Sequence, residues 1–312
     1  MASTALLPRS RPLATLAWGL LAYTILVILW GAFVRATGAG AGCGSHWPLC
    51  NGEVIPRSPS AETVIEFTHR LSSGLLGILV VLLNVLAFRS FPAGHQARKA
   101  AFVSFLFVVA EALVGAGLVR FEWVASNASA ARVYVMAFHL VNTFLLLGAM
   151  AIAAWLMTRD RVLLLRGPGV VLGPLVLALL GVLLVGSSGA TTALGDTLVL
   201  NAGIKPEDSP VVAKLVATRF YHPTLAIGVF LLLVGVVLWL RPRVRREAHR
   251  YGRWLLAVFG AQLLLGASNV FLMAPVWMQI VHLAVSDVLW VLLVLMTAEA
   301  LSREAGQQVD EG

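Results

Sequence analysis

Residues 71–87 carry no charged side chain, and seven further runs nearly as apolar recur along the chain. Each is about 20 residues long, the length a helix needs to cross the hydrocarbon core of a bilayer. The spans read as 13–34, 66–88, 100–120, 133–157, 170–189, 220–240, 254–273 and 279–301. Little sequence is left between them, so no separate soluble domain is expected. Composition agrees: 59% of the 312 residues are hydrophobic and only 12% charged, with mean hydropathy +0.87, outside the range of soluble domains. The first run, preceded by Arg9 and Arg11, has the outline of a signal peptide. It is long for one and has a counterpart later in the chain, so it is read as a helix.

Most of the 23 Lys and Arg residues fall on one side of this pattern. They are Arg9 and Arg11; Arg89, Arg98 and Lys99; Arg159, Arg161 and Arg166; six arginines between 241 and 253; and Arg303. The positive-inside rule then puts both termini in the cytoplasm, and the expected home is the cell membrane. The net charge of +8 is largely this bias, which gives no case for nucleic-acid binding. The longest outer segments are 36–65 and 191–219. The first holds Cys43 and Cys50, the only cysteines. An outer loop lies in an oxidising compartment, where a disulfide is the expected state. The spacing is not the Cys-x-x-Cys-His signature of covalent haem attachment. A structural staple is preferred to a redox-active pair, and His46 between them is read as a loop residue. Asn127-Ala128-Ser129 fits a glycosylation pattern that is common by chance.

The chain also repeats itself. The stretch from Gly31 to Thr37 aligns loosely with that from Gly186 to Thr192, and Glu66-Phe67-Thr68-His69 with Arg219-Phe220-Tyr221-His222. Glu111 and Gly115 match Gln262 and Gly266, and His139-Leu140 matches His282-Leu283. Four matches in order imply two halves, 1–166 and 167–312. With four spans each, both halves cross in the same sense and are related by an axis along the membrane normal. The fold class expected is therefore all-α and integral to the membrane: eight transmembrane helices forming two pseudo-symmetric four-helix bundles.

This repeat gives weight to four histidines. His69, His139, His222 and His282 each start a span at its outer end, one on the second and one on the fourth span of each half. Two facing imidazoles in an apolar bundle suit a haem iron, with Nε2 of each as axial ligand. Zinc would lack further cysteine or carboxylate ligands. Arg35, Arg70, Arg120 and Arg219 lie at the same depth; they either hold haem propionates by charge-assisted bonds or simply snorkel. Glu66 and His69 are i,i+3 neighbours and Arg70 is i+4 from Glu66, so the three share a helix face. Glu66 is either a functional carboxylate at the membrane edge or half of an ion pair with Arg70. In the second half its place is taken by Arg219, so the first half reads as a reaction site and the second as a permanently occupied haem site. Glu111, deeper in the membrane, reads as structural. Asp287 either orients a ligand or faces a neighbouring helix.

These residues together resemble the haem A synthases of bacteria and mitochondria. The resemblance covers essentially all eight spans. It rests on Arg35-Ala-Thr-Gly-Ala-Gly-Ala-Gly-Cys43, on Trp47-Pro-Leu-Cys50, on Glu66-Phe-Thr-His69-Arg70 and on the three later histidines. It implies an oxidoreductase that converts a ring methyl of haem O to the formyl group of haem A through a hydroxymethyl intermediate, for terminal oxidase assembly. It further implies a resident haem b held by His222 and His282, haem O held between His69 and His139, and Glu66 as the catalytic carboxylate. The partners expected are haem O, membrane lipid, haem O synthase, an electron donor or acceptor, and a second copy of the chain. Some bacterial relatives carry a second cysteine pair in the later outer loop; this chain has none. The rival reading is a membrane di-haem cytochrome b that carries electrons. Carriers stack haems near opposite faces, whereas these four histidines sit toward one. A repeat-fold transporter leaves the histidines unexplained.

Overall fold

The computed structural model describes residues 10–159, 161–164 and 169–304. Arg9 and Arg166, used above for orientation, lie outside the described residues, as does the junction between 1–166 and 167–312. The helices are α1 (Ser10–Ala36), α2 (Ala61–Ser90), α3 (Gln96–Arg120), α4 (Ala130–Thr158), α5 (Gly169–Asp196), α6 (Pro210–Thr218), α7 (Tyr221–Leu240), α8 (Arg246–Phe271) and α9 (Val276–Ala300). They make eight spans long and apolar enough to cross a bilayer, with α6 and α7 together forming the sixth. In lipid a backbone must satisfy its own polar groups, and a helix does so within one segment. Serines set several starts: Ser60, Ser129 and Ser209 accept from the amides of Thr63, Arg132 and Val212, each closing an otherwise orphaned donor.

Two expectations need correction. The second outer segment is mostly helical rather than a loop. The last turn of α5 widens into a π turn over Thr197–Asn201, and Pro210 at the first position of α6 starts a new helix behind the Ser209 cap. Nor do the four histidines all begin their helices. His69 follows the start of α2 by two turns, about 12 Å at 1.5 Å per residue, and His139 lies slightly deeper in α4. The apolar runs hid this because α2 and α4 begin with polar turns that hydropathy leaves out.

Helices α1 to α4 pack in a ring, each on the next and α4 back on α1; α5, α7, α8 and α9 do the same. The rings meet where α4 lies against α5 and α9 and where α1 touches α9. Helix α4 is the sheltered one: 78% of its apolar window is buried, against 17–44% in the other spans. Small residues permit the approach. A Cβ at Gly148 would lie 3.3 Å from Trp290 Nε1, and the Trp290 ring stacks on Phe144 at 5.4 Å between centroids while donating to the Phe144 carbonyl. At the end of the molecule away from the histidines, buried Glu299 accepts from Trp155 Nε1 at 3.0 Å and pairs with Arg161. There β1 (Arg161–Leu163) runs antiparallel to β2 (Ser302–Glu304), with Val162 opposite Arg303.

Candidate functional site

At the histidine end, the loop after α1 folds down onto the first turns of α2. Cys43 and Cys50 are joined by a disulfide, as expected. The loop reaches the helix because residue 42 is glycine: a Cβ there would run into the backbone of Glu62 and Thr63. Thr63 Oγ1 donates to the Gly42 carbonyl at 2.7 Å, and the Cys43 amide donates to Glu66 Oε2 at 2.8 Å. Arg70 closes the arrangement. Its Nη2 and Nε bind Glu66 Oε1 at 2.5 and 3.1 Å, and its Nη1 donates to the carbonyls of His46 and Leu49, both at 2.7 Å. The Glu66 and Arg70 side chains are only 4% and 13% exposed. The ion pair is therefore real, but it is buried and tied to the disulfide loop rather than displayed at the headgroups. His46 is a loop residue whose carbonyl, not its ring, does the binding.

Each second-span histidine faces a glycine on the preceding span. A Cβ at Gly31 would come within 2.9 Å of His69 Cε1, and one at Gly189 within 3.0 Å of His222 Cε1. The structural partner of Gly31 is thus Gly189, one helical turn beyond the Gly186 of the sequence alignment. Gly186 instead accommodates Phe144 of α4. His222 Nδ1 lies 3.1 Å from Ser188 Oγ, which leaves Nε2 free. Its ring centre is 6.4 Å from that of His282, the planes nearly perpendicular at 77°.

The fourth-span histidines have matching neighbours of different charge. Glu111 Oε2 lies 3.2 Å from His139 Nδ1 and accepts from Asn142 Nδ2 at 2.5 Å; Oε1 accepts from Thr143 Oγ1. Gln262, the residue aligned with Glu111 in sequence, donates through Nε2 to the His282 carbonyl at 2.9 Å and to Ser286 Oγ at 2.6 Å. Thr143 and Ser286 both sit four residues after their histidine and both donate to its carbonyl. This serine–threonine match was present in the sequence and would have strengthened the repeat. His139, Glu111 and Arg70 are the ionisable groups that act on His69, so α2, α3 and α4 converge on one locale.

The four arginines divide. Arg70 is committed as described. Arg35 crosses from α1 into the second half, its Nη1 bonding the Ala193 carbonyl at 2.7 Å and Thr197 Oγ1 at 2.6 Å, and its Nη2 bonding Gln279 Oε1 at 2.9 Å. Asp196 lies close enough to act on both Arg35 and Arg219. Arg120 and Arg219 are exposed. Buried Arg132 donates to the carbonyls of Ala125 and Asn127. Sequence reasoning missed Asp196, Thr197 and Gln279, whose role depends on a contact between distant helices. Asp287 is fully buried on α9, and neither carboxyl oxygen has a hydrogen-bond partner.

The chain is similar across residues 14–294 to the model of the COX15-CtaA family, described as cytochrome oxidase assembly protein. A protein of Thermus thermophilus named protoheme IX farnesyltransferase is 48% identical over 301 residues, covering 94% of this chain and 49% of that protein. Its counterpart in a second strain of the same species matches to the same extent. A heme A synthase of Bacillus cereus is 50% identical over 95 residues, 30% of either chain. The chain thus spans about half the length of the Thermus relatives.

Proposed function

The chain belongs to the COX15-CtaA family of cytochrome oxidase assembly proteins, and from that premise we propose that it is a haem A synthase. It oxidises a ring methyl of haem O to an alcohol and then to the formyl group of haem A, in the plasma membrane with both termini in the cytoplasm. The observation that carries the reading is the neighbouring pair His222 and His282, from two different spans, 6.4 Å apart between ring centres. An iron between two imidazoles, with metal–nitrogen bonds of about 2 Å, sets ring centres roughly 6 Å apart. Among the described residues no three His, Cys, Asp or Glu side chains gather to hold a bare metal ion. A macrocycle that brings its own four ligands fits a donor set of two histidines. The two rings of helices support the division into a substrate half, 1–166, and a resident-haem half, 167–312.

With water as the oxygen source, one methyl and one water give the formyl group, four protons and four electrons, the electrons passing to an external acceptor. A resident haem b at His222 and His282 would supply one-electron acceptance. The protein's own part is placement and proton handling. His69 and His139 orient haem O, and the glycines at 31 and 189 leave room beside the second-span imidazoles. Glu66 is the proton acceptor. Its Oε1 is filled by two N–H groups of Arg70, whereas Oε2 accepts the Cys43 amide, with the Gly42 amide also acting on the carboxylate. A carboxylate oxygen offers about two lone-pair sites, and Oε2, free of Arg70, is the oxygen proposed to receive the proton. Exposed Arg120 and Arg219 are the arginines left free to meet propionates; Arg35 and Arg70 brace the pocket. The Thermus relatives are named for farnesylation of protohaem, and haem O is a farnesylated haem. A haem O synthase is therefore the proposed partner, together with an electron acceptor and a second copy of the chain.

The test is chromatography of haems extracted from purified protein, before and after membranes are supplied with haem O. Haem b with haem O and newly formed haem A supports the synthase. Haem b alone at two per chain, unchanged by haem O, returns the protein to electron carriage.

A further inference from the structure

The two fourth-span histidines are held differently, and the difference is one of charge. Glu111 reaches from α3 to α4, where Asn142 and Thr143 bind its two oxygens and His139 Nδ1 approaches to 3.2 Å. Asn142 and Thr143 are themselves fixed, to the carbonyls of Phe107 and His139. The carboxylate is thus clamped from both sides next to the imidazole. In the other half Gln262 spends its amide on the His282 carbonyl and Ser286. Neither Nδ1 has an aligned hydrogen-bond partner; the difference is that a carboxylate stands 3.2 Å from His139 Nδ1 and a neutral amide takes its place beside His282. A histidine that ligates metal through Nε2 commonly gives its Nδ1 proton to a carboxylate, which fixes the tautomer and makes the ring a stronger donor. A more strongly donating axial ligand favours the oxidised iron.

Resting on the function proposed above, we infer that Glu111 is a positioning residue whose carboxylate, set beside His139 Nδ1, makes the first-half haem the lower-potential one of the two. The second-half haem, backed by a neutral amide, is the easier to reduce. The asymmetry matches the chemistry: the macrocycle to be oxidised sits where electron loss is favoured.

The experiment is a spectroelectrochemical titration of the full-length protein in detergent with protohaem added to fill both pockets. Glu111→Gln keeps the shape, its oxygen accepting from Asn142 and its NH2 donating to the Thr143 hydroxyl, whose proton stays on the His139 carbonyl, so the fold and haem content should survive. Its lower wave should move to higher potential, a tenfold fall in the oxidised-to-reduced ratio at fixed potential corresponding to about 59 mV for one electron. Glu111→Asp should restore part of the shift, and Gln262→Glu should lower the upper wave. Glu111→Gln with both waves unmoved at full haem content overturns the inference and leaves the function standing. If His69→Ala and His139→Ala leave the loaded spectrum untouched, the first half holds no haem. That result defeats the function reading and this one together.

Discussion

Glu66→Gln is the perturbation most exposed to misreading, because the residue is both a proposed proton acceptor and half of a buried ion pair. With Arg70 only 13% exposed, removing its partner leaves a buried charge uncompensated, a loss of about 3–5 kcal/mol. That is a large part of a typical folding free energy of about 5–15 kcal/mol, and far above the ~1 kcal/mol ceiling of an exposed pair. Loss of activity in the single variant would therefore mix chemistry with folding. The remedy is to remove both charges. Glu66→Gln/Arg70→Gln should regain most of the lost stability, read as the temperature at which resident-haem absorbance disappears. It should not regain the reaction, since general acid–base assistance is worth about 10²–10⁴-fold. The assay is haem A formed per resident haem b in membranes supplied with haem O, with Arg70→Gln as the reference. A double variant within about threefold of that reference, well short of the hundredfold floor, would take Glu66 out of the chemistry and leave it a structural residue.

Other outcomes follow from the same geometry. Cys43→Ser/Cys50→Ser opens a short loop, and should cost about 2–3 kcal/mol and weaken the Cys43 amide's hold on Glu66, measured as lower thermal stability and a reduced rate per resident haem. Gly189→Ala puts a methyl 3.0 Å from His222 Cε1 and should lower resident-haem absorbance, while Gly228→Ala on the same half's second span, with open space beside it, should not. His222→Ala or His282→Ala should remove most of the b-type absorbance of the protein as purified, and His69→Ala or His139→Ala should spare much of it; equal loss from all four would refute distinct halves. Lys205→Cys, exposed and the only free thiol in the chain, should react with an impermeant reagent in intact cells. Reaction in inverted vesicles alone would reverse the orientation.

The spans, the four histidines and the Glu66–Arg70 pair were legible because each depends on local periodicity: apolar length for the first, repeat position for the second, i,i+4 spacing for the third. What was not legible depends on contacts between distant segments. Nothing in Arg35 announces that it crosses to α5 and α9. Glu111 looked structural from its depth alone, since its neighbour His139 is on another helix. The loose match of Gly31 to Gly186 slipped by one turn because small residues recur every few positions in α5, and only packing against an imidazole separates Gly189 from its neighbours. Helix α6 was missed because its nine residues, opening on Pro210 and carrying Lys214, were read with the outer segment that precedes the sixth span.

The sheltering of α4 has a consequence for how the protein is made. The ribosome releases α4 well before α9 exists, so the helix that ends most enclosed begins its life surrounded by lipid tails. It can wait there. The stripe that later receives Trp290 is bare at Gly148 and apolar at Phe144, and the Phe144 carbonyl that Trp290 will share already has the helix ladder to satisfy it. Lipid is as apolar as leucine, so nothing drives that stripe to clump before its partner arrives. The second four spans then displace lipid from a surface that was never under strain. The first half is thus built as a stable guest of the bilayer, and a chain supplied as two separately translated pieces has a route to the same assembled molecule.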